Sequence, residues 1–170
     1  MELWDLFDRN RRPLGRTHRR GTPMPPDAFH LVVFVWVFNS EGQTLLTRRA
    51  PEKPHYAGMW SATGGAVQAG ETSLHAVRRE LREETGIDAP EADFVLLETV
   101  RSETRGYFSD LYLLQNDTPC ERLTMQPGET TEARWVSRTE LEALIAAGEF
   151  AAPDVQRYEL LRERFADVFR

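Results

Sequence analysis

One eight-residue run, Leu31 to Phe38, limits the folds that this chain of 170 residues can adopt. The run reads LVVFVWVF, so it is rich in β-branched and aromatic residues and has no polar face. Such a strand needs cover on both of its faces, which predicts a central strand in a layered mixed α/β fold. The run is also far shorter than the roughly 20 apolar residues that cross a bilayer.

Composition and charge exclude several classes of protein. Apolar side chains make up 41% of the chain, which suffices for one sizeable core. No repeat or linker divides the sequence, so we expect a single domain over residues 1–170. The 27 acidic residues exceed the 21 basic ones and give a formal charge of −6. This balance argues against binding to nucleic acid polymers or to a membrane surface.

The N-terminal residues and the cysteine content indicate the cellular compartment of the chain. The N-terminus carries Glu2, Asp5 and Asp8, where a secretion signal would be basic and then apolar. The lone cysteine, Cys120, cannot form an internal disulfide. We therefore expect a cytoplasmic protein. The sequence leaves open whether the chain forms a homodimer.

Further elements follow from local patterns. The first 28 residues predict an N-terminal hairpin and a proline-rich loop. Alternating or β-branched runs predict extended segments at 43–49, 59–67, 94–100, 107–114 and 132–136, the first of them paired as a hairpin with the central run. Residues 138–170 predict two helices. The first follows a Ser137–Glu140 capping box. The inward face of the second is expected at Val155, Tyr158, Leu161, Phe165 and Val168.

The chemistry is concentrated in residues 65–87, which read GAVQAGETSLHAVRRELREETGI. Thr72 or Ser73 begins a predicted helix and Gly86 ends it. At about 100° per residue, Glu80, Glu83 and Glu84 lie within roughly a third of the helix circumference. Like charges this close repel one another unless a cation or water screens them. A hard divalent cation is the natural partner of such a carboxylate patch, although a solvated face paired with neighbouring arginines is the alternative.

The complete spacing of this segment resembles the Nudix box. That motif has a glycine, five residues, a glutamate, seven residues, and then Arg-Glu-aliphatic-any-Glu-Glu-any-Gly-aliphatic. The segment matches it at every specified position. The order of predicted elements around it is also similar to that of the whole Nudix domain. The resemblance implies an α/β/α sandwich with a mixed β-sheet.

The resemblance also implies a reaction and a set of site residues. It implies a hydrolase that uses Mg²⁺ or Mn²⁺ to cleave a diphosphate linkage in a nucleoside di- or triphosphate or another small organic diphosphate. Glu80 and Glu84 match the principal metal ligands, and Glu83 matches a further ligand or the general base. A backbone carbonyl at Gly64 or Gly65 completes the implied metal site. Arg79 is expected to fold back onto Glu71 and hold the preceding loop on the helix.

A further carboxylate is expected from the loop before a late strand that ends in tryptophan. Glu129 lies six residues before Trp135, and Glu132 lies three before it. Either one could act as an added ligand or as the general base. We prefer Glu129.

A second resemblance covers residues 30–71 and concerns the isopentenyl-diphosphate isomerase branch of the superfamily. The matching positions are His30, Leu31, Phe34, Trp36, Val37, Phe38, Asn39, Leu45, Leu46, Thr47, Arg48, Arg49, Ala50, Lys53, Gly58 and Trp60. In that branch the residues matching Arg49 and Lys53 contact the substrate diphosphate. His30 fits either a metal ligand or a buried structural residue.

The isomerase chemistry itself is not supported by the sequence. Isomerases of that branch have a catalytic cysteine and a metal-binding histidine in a Cys-Gly-His sequence, where this chain has Gly64, Gly65 and Ala66. The interpretation favoured here is therefore a hydrolase, with an isomerase-like enzyme as the alternative. A noncatalytic nucleotide-binding module is a third possibility, which the complete set of carboxylates disfavours.

Overall fold

The structure, a computed structural model, describes residues 2–164. Within these residues the elements are β1 (Leu3–Phe7), β2 (Pro13–Arg19), β3 (His30–Phe38), β4 (Thr44–Arg49), β5 (Trp60–Ser61), β6 (Thr63–Ala66), α1 (Ser73–Thr85), β7 (Val95–Ser102), β8 (Tyr107–Gln115), β9 (Thr130–Val136), α2 (Arg138–Ala146) and α3 (Ala152–Arg164). Phe165 and Val168, expected on the inward face of the last helix, lie outside the described residues. Among the described residues, no helix is long and apolar enough to cross a membrane.

Strand β3 is the centre of a seven-stranded mixed sheet. It runs parallel to β8 from His30 opposite Tyr107 to Phe38 opposite Gln115. Its other edge pairs antiparallel with β6 over Val32–Val35. β7 pairs with β8, while β9 and β5 pair with β4. The predicted central strand and mixed sheet are confirmed.

Helices cover both faces of this sheet. Val33 and Val35 of β3 pack in a core cluster with Val77 and Leu81 of α1. Trp36, on the opposite face of the same strand, packs in a second cluster with residues of α2 and α3. Alternate side chains of one strand therefore enter two separate cores. The predicted α/β/α sandwich is confirmed.

The predicted hairpin between the central run and residues 43–49 is wrong for most of its length. The turn forms, with the Asn39 amide donating to the Gln43 carbonyl at 3.0 Å, but only Phe38 and Thr44 pair across β3 and β4. Beyond this point β6 occupies the edge of β3 that a longer hairpin would use. β4 instead pairs along its length with β9, from Thr44 opposite Val136 to Arg49 opposite Thr130.

Strands β1 and β2 form a separate two-stranded sheet that contacts the segment before α1. The Ala69 amide donates to the Leu3 carbonyl at 2.8 Å, and the Gly70 amide donates to the Asp5 carboxylate at 2.7 Å. These bonds join the N-terminal hairpin to the loop that leads into the carboxylate-bearing helix.

Candidate active site

Helix α1 positions the carboxylates because both of its ends and its inner face are fixed. The Thr72 hydroxyl caps the first turn by accepting from the His75 amide at 3.2 Å. Gly86 adopts the left-handed conformation, with φ 77°, and ends the helix. Val77 and Leu81 are fully buried against the sheet. The adjoining helix surface carries Glu80 and Glu84, with Glu80 against Gly65 of β6.

Glu84 is a buried carboxylate with an unusual environment. Its residue is only 9% exposed, and among residues 2–164 no donor forms a hydrogen bond with its carboxylate. Burial, followed by the charge of Glu80, raises the pKa of Glu84 to about 8. A solvated, arginine-paired face would leave this carboxylate exposed or hydrogen-bonded, so Glu84 does not fit that alternative. Its main chain is held in place by the Thr130 hydroxyl, which donates to the Glu84 carbonyl at 3.1 Å.

Glu80 lies directly against the backbone of Gly65. A Cβ atom at Gly65 would overlap the Glu80 carboxylate, so this position accepts only glycine without a shift of Glu80. Burial raises the pKa of Glu80, although Arg79 donates a hydrogen bond to its carboxylate at 2.8 Å. Glu83 is more exposed, and its carboxylate oxygen lies 3.3 Å from the Arg79 guanidinium.

The expected contact between Arg79 and Glu71 is present. Arg79 donates to both Glu71 carboxylate oxygens at 2.9 Å and to the Ala66 carbonyl at 3.1 Å. Burial alone favours a higher pKa for Glu71, but the hydrogen bonds from Arg79 and from the Gln68 amide outweigh it and lower the pKa. Arg79 therefore links the loop, β6 and Glu80 through one planar guanidinium.

Two cations lie close enough to Glu84 for their charges to act on it. The charges of Arg49 and Lys53 both act to lower the Glu84 pKa, against the larger effect of burial. Arg49 is oriented by its Nε, which donates to the His55 carbonyl at 3.1 Å. Lys53 is largely buried, and its Nζ forms an ion pair with Glu129. The structure thus brings a cluster of carboxylates and a pair of cations into one region.

The structure separates the two candidate loop carboxylates. Glu129 pairs with Lys53, and its charge acts on Glu84. Glu132 is instead an exposed residue of β9, and its carboxylate lies 3.6 Å from the Arg48 guanidinium. Of the two, Glu129 is the one placed beside the carboxylate cluster.

The donor set fits a divalent cation that completes its coordination with water and substrate. The Glu84 carboxylate lacks a hydrogen-bond partner among the described residues, and the bare Gly65 backbone lies beside the Glu80 carboxylate. Over residues 2–164, no three His, Cys, Asp or Glu side chains form a ready-made cage. Mg²⁺ suits such a site because it binds through one or two carboxylates, waters and substrate phosphates rather than through an all-protein cage.

His30 is explained by packing. Its residue is 7% exposed, and its ring stacks on Trp4 at 4.0 Å between ring centroids. Burial lowers the pKa of His30 to about 4, so the ring is neutral at pH 7. These contacts agree with the structural interpretation of His30.

Some residues of this region were not identified from the sequence. The pairing of Lys53 with Glu129 joins two residues that were assigned separate roles. Asp154 and Arg157 of α3 form a buried ion pair, with 2.8 Å between the guanidinium and carboxylate, beside Phe34. The signal available in the sequence was a carboxylate and an arginine one helical turn apart, which is common on exposed helices.

Comparisons with known proteins agree with this geometry. A model of the NUDIX domain matches residues 28–158. An uncharacterized Nudix hydrolase of Listeria monocytogenes is 38% identical over 156 residues, which cover 88% of each protein. An isopentenyl-diphosphate Delta-isomerase of an Enterobacter species is 31% identical over 131 residues, or 73% of this chain and 70% of the isomerase. A crystal structure of a Deinococcus radiodurans protein aligns with a TM-score of 0.78 and 30% identity, covering 96% of this chain and 99% of that one.

The helix-borne carboxylates on a mixed α/β/α sandwich, together with relatives named as hydrolases, identify an enzyme of the hydrolase class. The chain belongs to the Nudix family, as the match of the NUDIX domain model to residues 28–158 and the match to the Listeria hydrolase over 88% of the chain establish. The similarity to isomerases is also confirmed.

The Gly64 backbone argues against isomerase chemistry at this site. A Cβ atom at Gly64 would overlap the Phe34 ring and the Val33 carbonyl. A cysteine at Gly64 would therefore need a shift of β3, the central strand of the sheet.

The metal-free protein should lose stability as the pH rises through the titration range of Glu84. Burial and Glu80 hold the folded pKa of Glu84 near 8, above the ordinary value of 4.5. Between these values the unfolded state releases a proton that the folded state keeps, so stability falls with increasing pH. In EDTA at about pH 8, we expect Glu84→Gln to melt about 2–4 °C or more above the wild type, and nearer to it at about pH 5.

Differential scanning calorimetry at the two pH values measures this difference. Glu91→Gln, which removes an exposed carboxylate beyond α1, is the matched control and should follow the wild type. A lower melting temperature for Glu84→Gln at the higher pH would mean that Glu84 is a structural ion-pair partner.

Proposed function

We propose that this protein hydrolyses a diphosphate linkage in a nucleoside di- or triphosphate or another small organic diphosphate, with Mg²⁺ or Mn²⁺ as its cofactor. The observation that carries this proposal is Glu84, a buried carboxylate without a hydrogen-bond donor, on which the charges of the acidic Glu80 and of the cations Arg49 and Lys53 all act. A bound cation would offset the repulsion between the carboxylates, and a diphosphate would offset the charges of Arg49 and Lys53.

Each residue has a distinct part in this proposal. Glu80 and Glu84 would hold the cation, with Glu83 and the Gly64 carbonyl as additional ligands. When bound, the cation supplies charge neutralisation for the diphosphate and lowers the pKa of bound water. Arg49 and Lys53 bind the non-bridging phosphate oxygens through charge-assisted hydrogen bonds. Arg79 and Glu71 keep Glu80 and its loop in position.

The reaction is an attack by water on phosphorus. A new P–O bond forms from the water oxygen, and the bridging P–O bond breaks with its electron pair going to the departing phosphate or phosphomonoester. A carboxylate, Glu129 or Glu83, accepts the proton that the water loses. Glu129 is the preferred proton acceptor of the two, because a substrate phosphate can replace its carboxylate as the ion-pair partner of Lys53. Substrate binding would therefore release the proton acceptor, Glu129, from its ion pair with Lys53.

A screen of the purified protein tests the proposed activity. Nucleoside di- and triphosphates, dinucleoside polyphosphates, nucleotide sugars and prenyl diphosphates are each incubated with Mg²⁺, and released phosphate and phosphomonoester are measured. We expect metal-dependent hydrolysis of at least one class. Isopentenyl diphosphate is also incubated in heavy water, where we expect no dimethylallyl diphosphate and no deuterium at carbon. Carbon-bound deuterium would overturn the hydrolase proposal in favour of the isomerase.

Lys53→Ala should raise the KM for the diphosphate substrate about tenfold or more, with a much smaller change in kcat. The expected loss is one charge-assisted hydrogen bond, for which about 1.5–3 kcal/mol is typical. Steady-state kinetics at saturating Mg²⁺ provide the measurement. Arg16→Ala removes an exposed cation of the N-terminal hairpin and is the control for net charge. An unchanged KM would leave hydrolysis in place but remove Lys53 from substrate binding.

A further inference from the structure

The sheet face under α3 is open at one end, beside the candidate active site. Every residue of β3 is buried except Val32 and Phe34, which are half-buried. Both line a cleft of about 420 Å³, whose opposite wall includes Pro153 and Arg157 from the first turns of α3. This volume lies within the range of about 300–1,000 Å³ that is typical of small-molecule sites. Incomplete burial of the central strand is therefore confined to the positions that face this cleft.

Arg49 connects the cleft to the cluster of carboxylates. Its side chain lines the cleft, and its charge acts both on Glu84 and on Asp154 in the cleft wall. His55, whose carbonyl accepts the hydrogen bond from Arg49, lines the cleft as well. A molecule whose diphosphate contacts Arg49 would thus extend its remaining part into this cleft.

Arg157 is held rigidly in the cleft wall. Its guanidinium carbon lies 3.3 Å from the centroid of the Phe34 ring. The guanidinium donates to the buried Asp154 carboxylate at 2.8 Å and to the Tyr107 hydroxyl at 3.4 Å. A guanidinium has five N–H donors, and within residues 2–164 these two acceptors are the hydrogen-bond partners found for it. Three N–H donors remain, and a ligand in the cleft that meets them needs acceptor oxygens or nitrogens.

The other cleft residues favour a flat ligand rich in acceptors. Tyr56 and Tyr107 supply aromatic side chains, and Arg105 lies beside both of their hydroxyls. Arg49, Arg105 and Arg157 face a single carboxylate, Asp154, so the cleft is positive on a chain whose net charge is −6. A prenyl chain has no acceptors and would leave these guanidinium groups desolvated without partners. A heteroaromatic ring with carbonyl oxygens satisfies both the aromatic and the cationic parts of the wall.

We propose that Arg157 is a specificity-determining residue of this site, because it donates to a carbonyl oxygen of a nucleotide base bound in the cleft. This inference rests on the proposed function, because it assigns the base preference of the same site. Guanine, cytosine and uracil carry a carbonyl oxygen, whereas adenine carries none. Adenine nucleotides should therefore be the poorer ligands.

The test compares ADP, GDP, CDP and UDP with ribose 5-diphosphate, which has the same diphosphate but no base. Affinity is measured by isothermal titration calorimetry, and phosphate release is measured separately with Mg²⁺. We expect at least one of GDP, CDP and UDP to bind about tenfold or more tightly than both ADP and ribose 5-diphosphate. The two readouts separate the hypotheses, because binding tests the base cleft and phosphate release tests the hydrolase.

Two variants test the role of Arg157. Arg157→Lys keeps a cation beside Asp154 but loses the planar set of donors, and we expect it to reduce the preference over ADP about tenfold. Its affinity for ribose 5-diphosphate should not change. Arg105→Ala removes an exposed cleft residue without a folding risk and should weaken binding of the nucleotides alone. Arg162→Lys on an exposed turn of the same helix is the matched control.

Each outcome decides one of the two proposals. Equal affinity for ADP, GDP, CDP, UDP and ribose 5-diphosphate would overturn the base cleft while leaving hydrolysis untouched. An unchanged base preference in Arg157→Lys would remove Arg157 as the specificity-determining residue. Base-dependent binding without release of phosphate from any diphosphate would support the cleft and refute the hydrolase.

Discussion

Replacement of Glu84 by glutamine should lower kcat at least about a hundredfold at saturating Mg²⁺, and Glu80→Gln should have a similar effect. Glutamine has nearly the same shape as glutamate, but it removes the negative charge and presents an amide group where a cation is expected. Preorganised electrostatic groups at a transition state are commonly worth a hundredfold to a thousandfold in kcat. Because the Glu84 carboxylate has no hydrogen-bond partner among the described residues, little structural cost should accompany its replacement.

Single-turnover and steady-state measurements on the substrate found by the screen provide the test. Far-ultraviolet circular dichroism and the melting temperature establish that both variants remain folded. Glu91→Gln, an exposed carboxylate outside the helix, should keep wild-type turnover. Near-normal activity in Glu84→Gln or Glu80→Gln would rule out the proposed metal ligands. A loss at the Mg²⁺ concentration that saturates the wild type, if it is fully restored at higher Mg²⁺, would reduce their role to metal affinity alone.

The sequence predicted where the helix-borne carboxylates lie because these residues are close together along one helix. Periodicity alone places Glu80 and Glu84 beside the buried Val77 and Leu81, and the caps at Thr72 and Gly86 fix where the helix begins and ends. Those features depend on local geometry, which a helical repeat reproduces well. The central strand was predictable for the same reason, because every residue of the short run 31–38 is apolar and so indicates a buried strand.

Features that depend on contacts distant in sequence could not be predicted in this way. The hairpin expected from the Asn39 turn is mostly replaced by pairing of β4 with β9, and a local turn signal carries no information on that partner. The pairing of Lys53 with Glu129 spans 76 positions. The cleft beside Phe34 depends on where α3 crosses the sheet, which no spacing within the helix determines.

One such long-range contact joins the turn of the N-terminal hairpin to the sheet and to the start of α1. Asp110 on β8 is almost fully buried and accepts two hydrogen bonds from Arg11, at 2.6 and 2.5 Å. It also accepts from the hydroxyls of Thr99 on β7, at 2.7 Å, and of Ser73 at the start of α1, at 2.5 Å. These bonds, with burial opposing them, keep the pKa of Asp110 below its ordinary value. The hairpin turn, the sheet and the first residue of α1 therefore meet at one carboxylate.

Arg11→Ala should lower the free energy of unfolding by about 3 kcal/mol or more, because it leaves Asp110 as a buried charge without its cationic partner. For a chain of this size, the melting temperature should fall by about 6–12 °C. Arg11 has a positive φ of 61°, but alanine also carries a Cβ, so a change in backbone strain does not account for the loss. Arg9→Ala is the matched control. Arg9 lies two positions before Arg11 in the same turn and forms an exposed ion pair with Asp27. Exposed pairs contribute about 0–1 kcal/mol, so the control should lose far less.

Urea unfolding of Arg11→Ala, Asp110→Leu and the double variant then separates the ion pair from the fold around it. Removing both partners should cost less than the sum of the single losses, because the double variant leaves no buried charge unpaired. Strict additivity would show that Arg11 and Asp110 stabilise the protein independently. Because Asp110 also holds Ser73, Asp110→Leu should in addition loosen the first turn of α1, which amide hydrogen exchange at residues 73–77 would detect as faster exchange than in Arg11→Ala. Equal exchange in the two variants would mean that the Thr72 cap alone holds the start of the helix that carries Glu80 and Glu84.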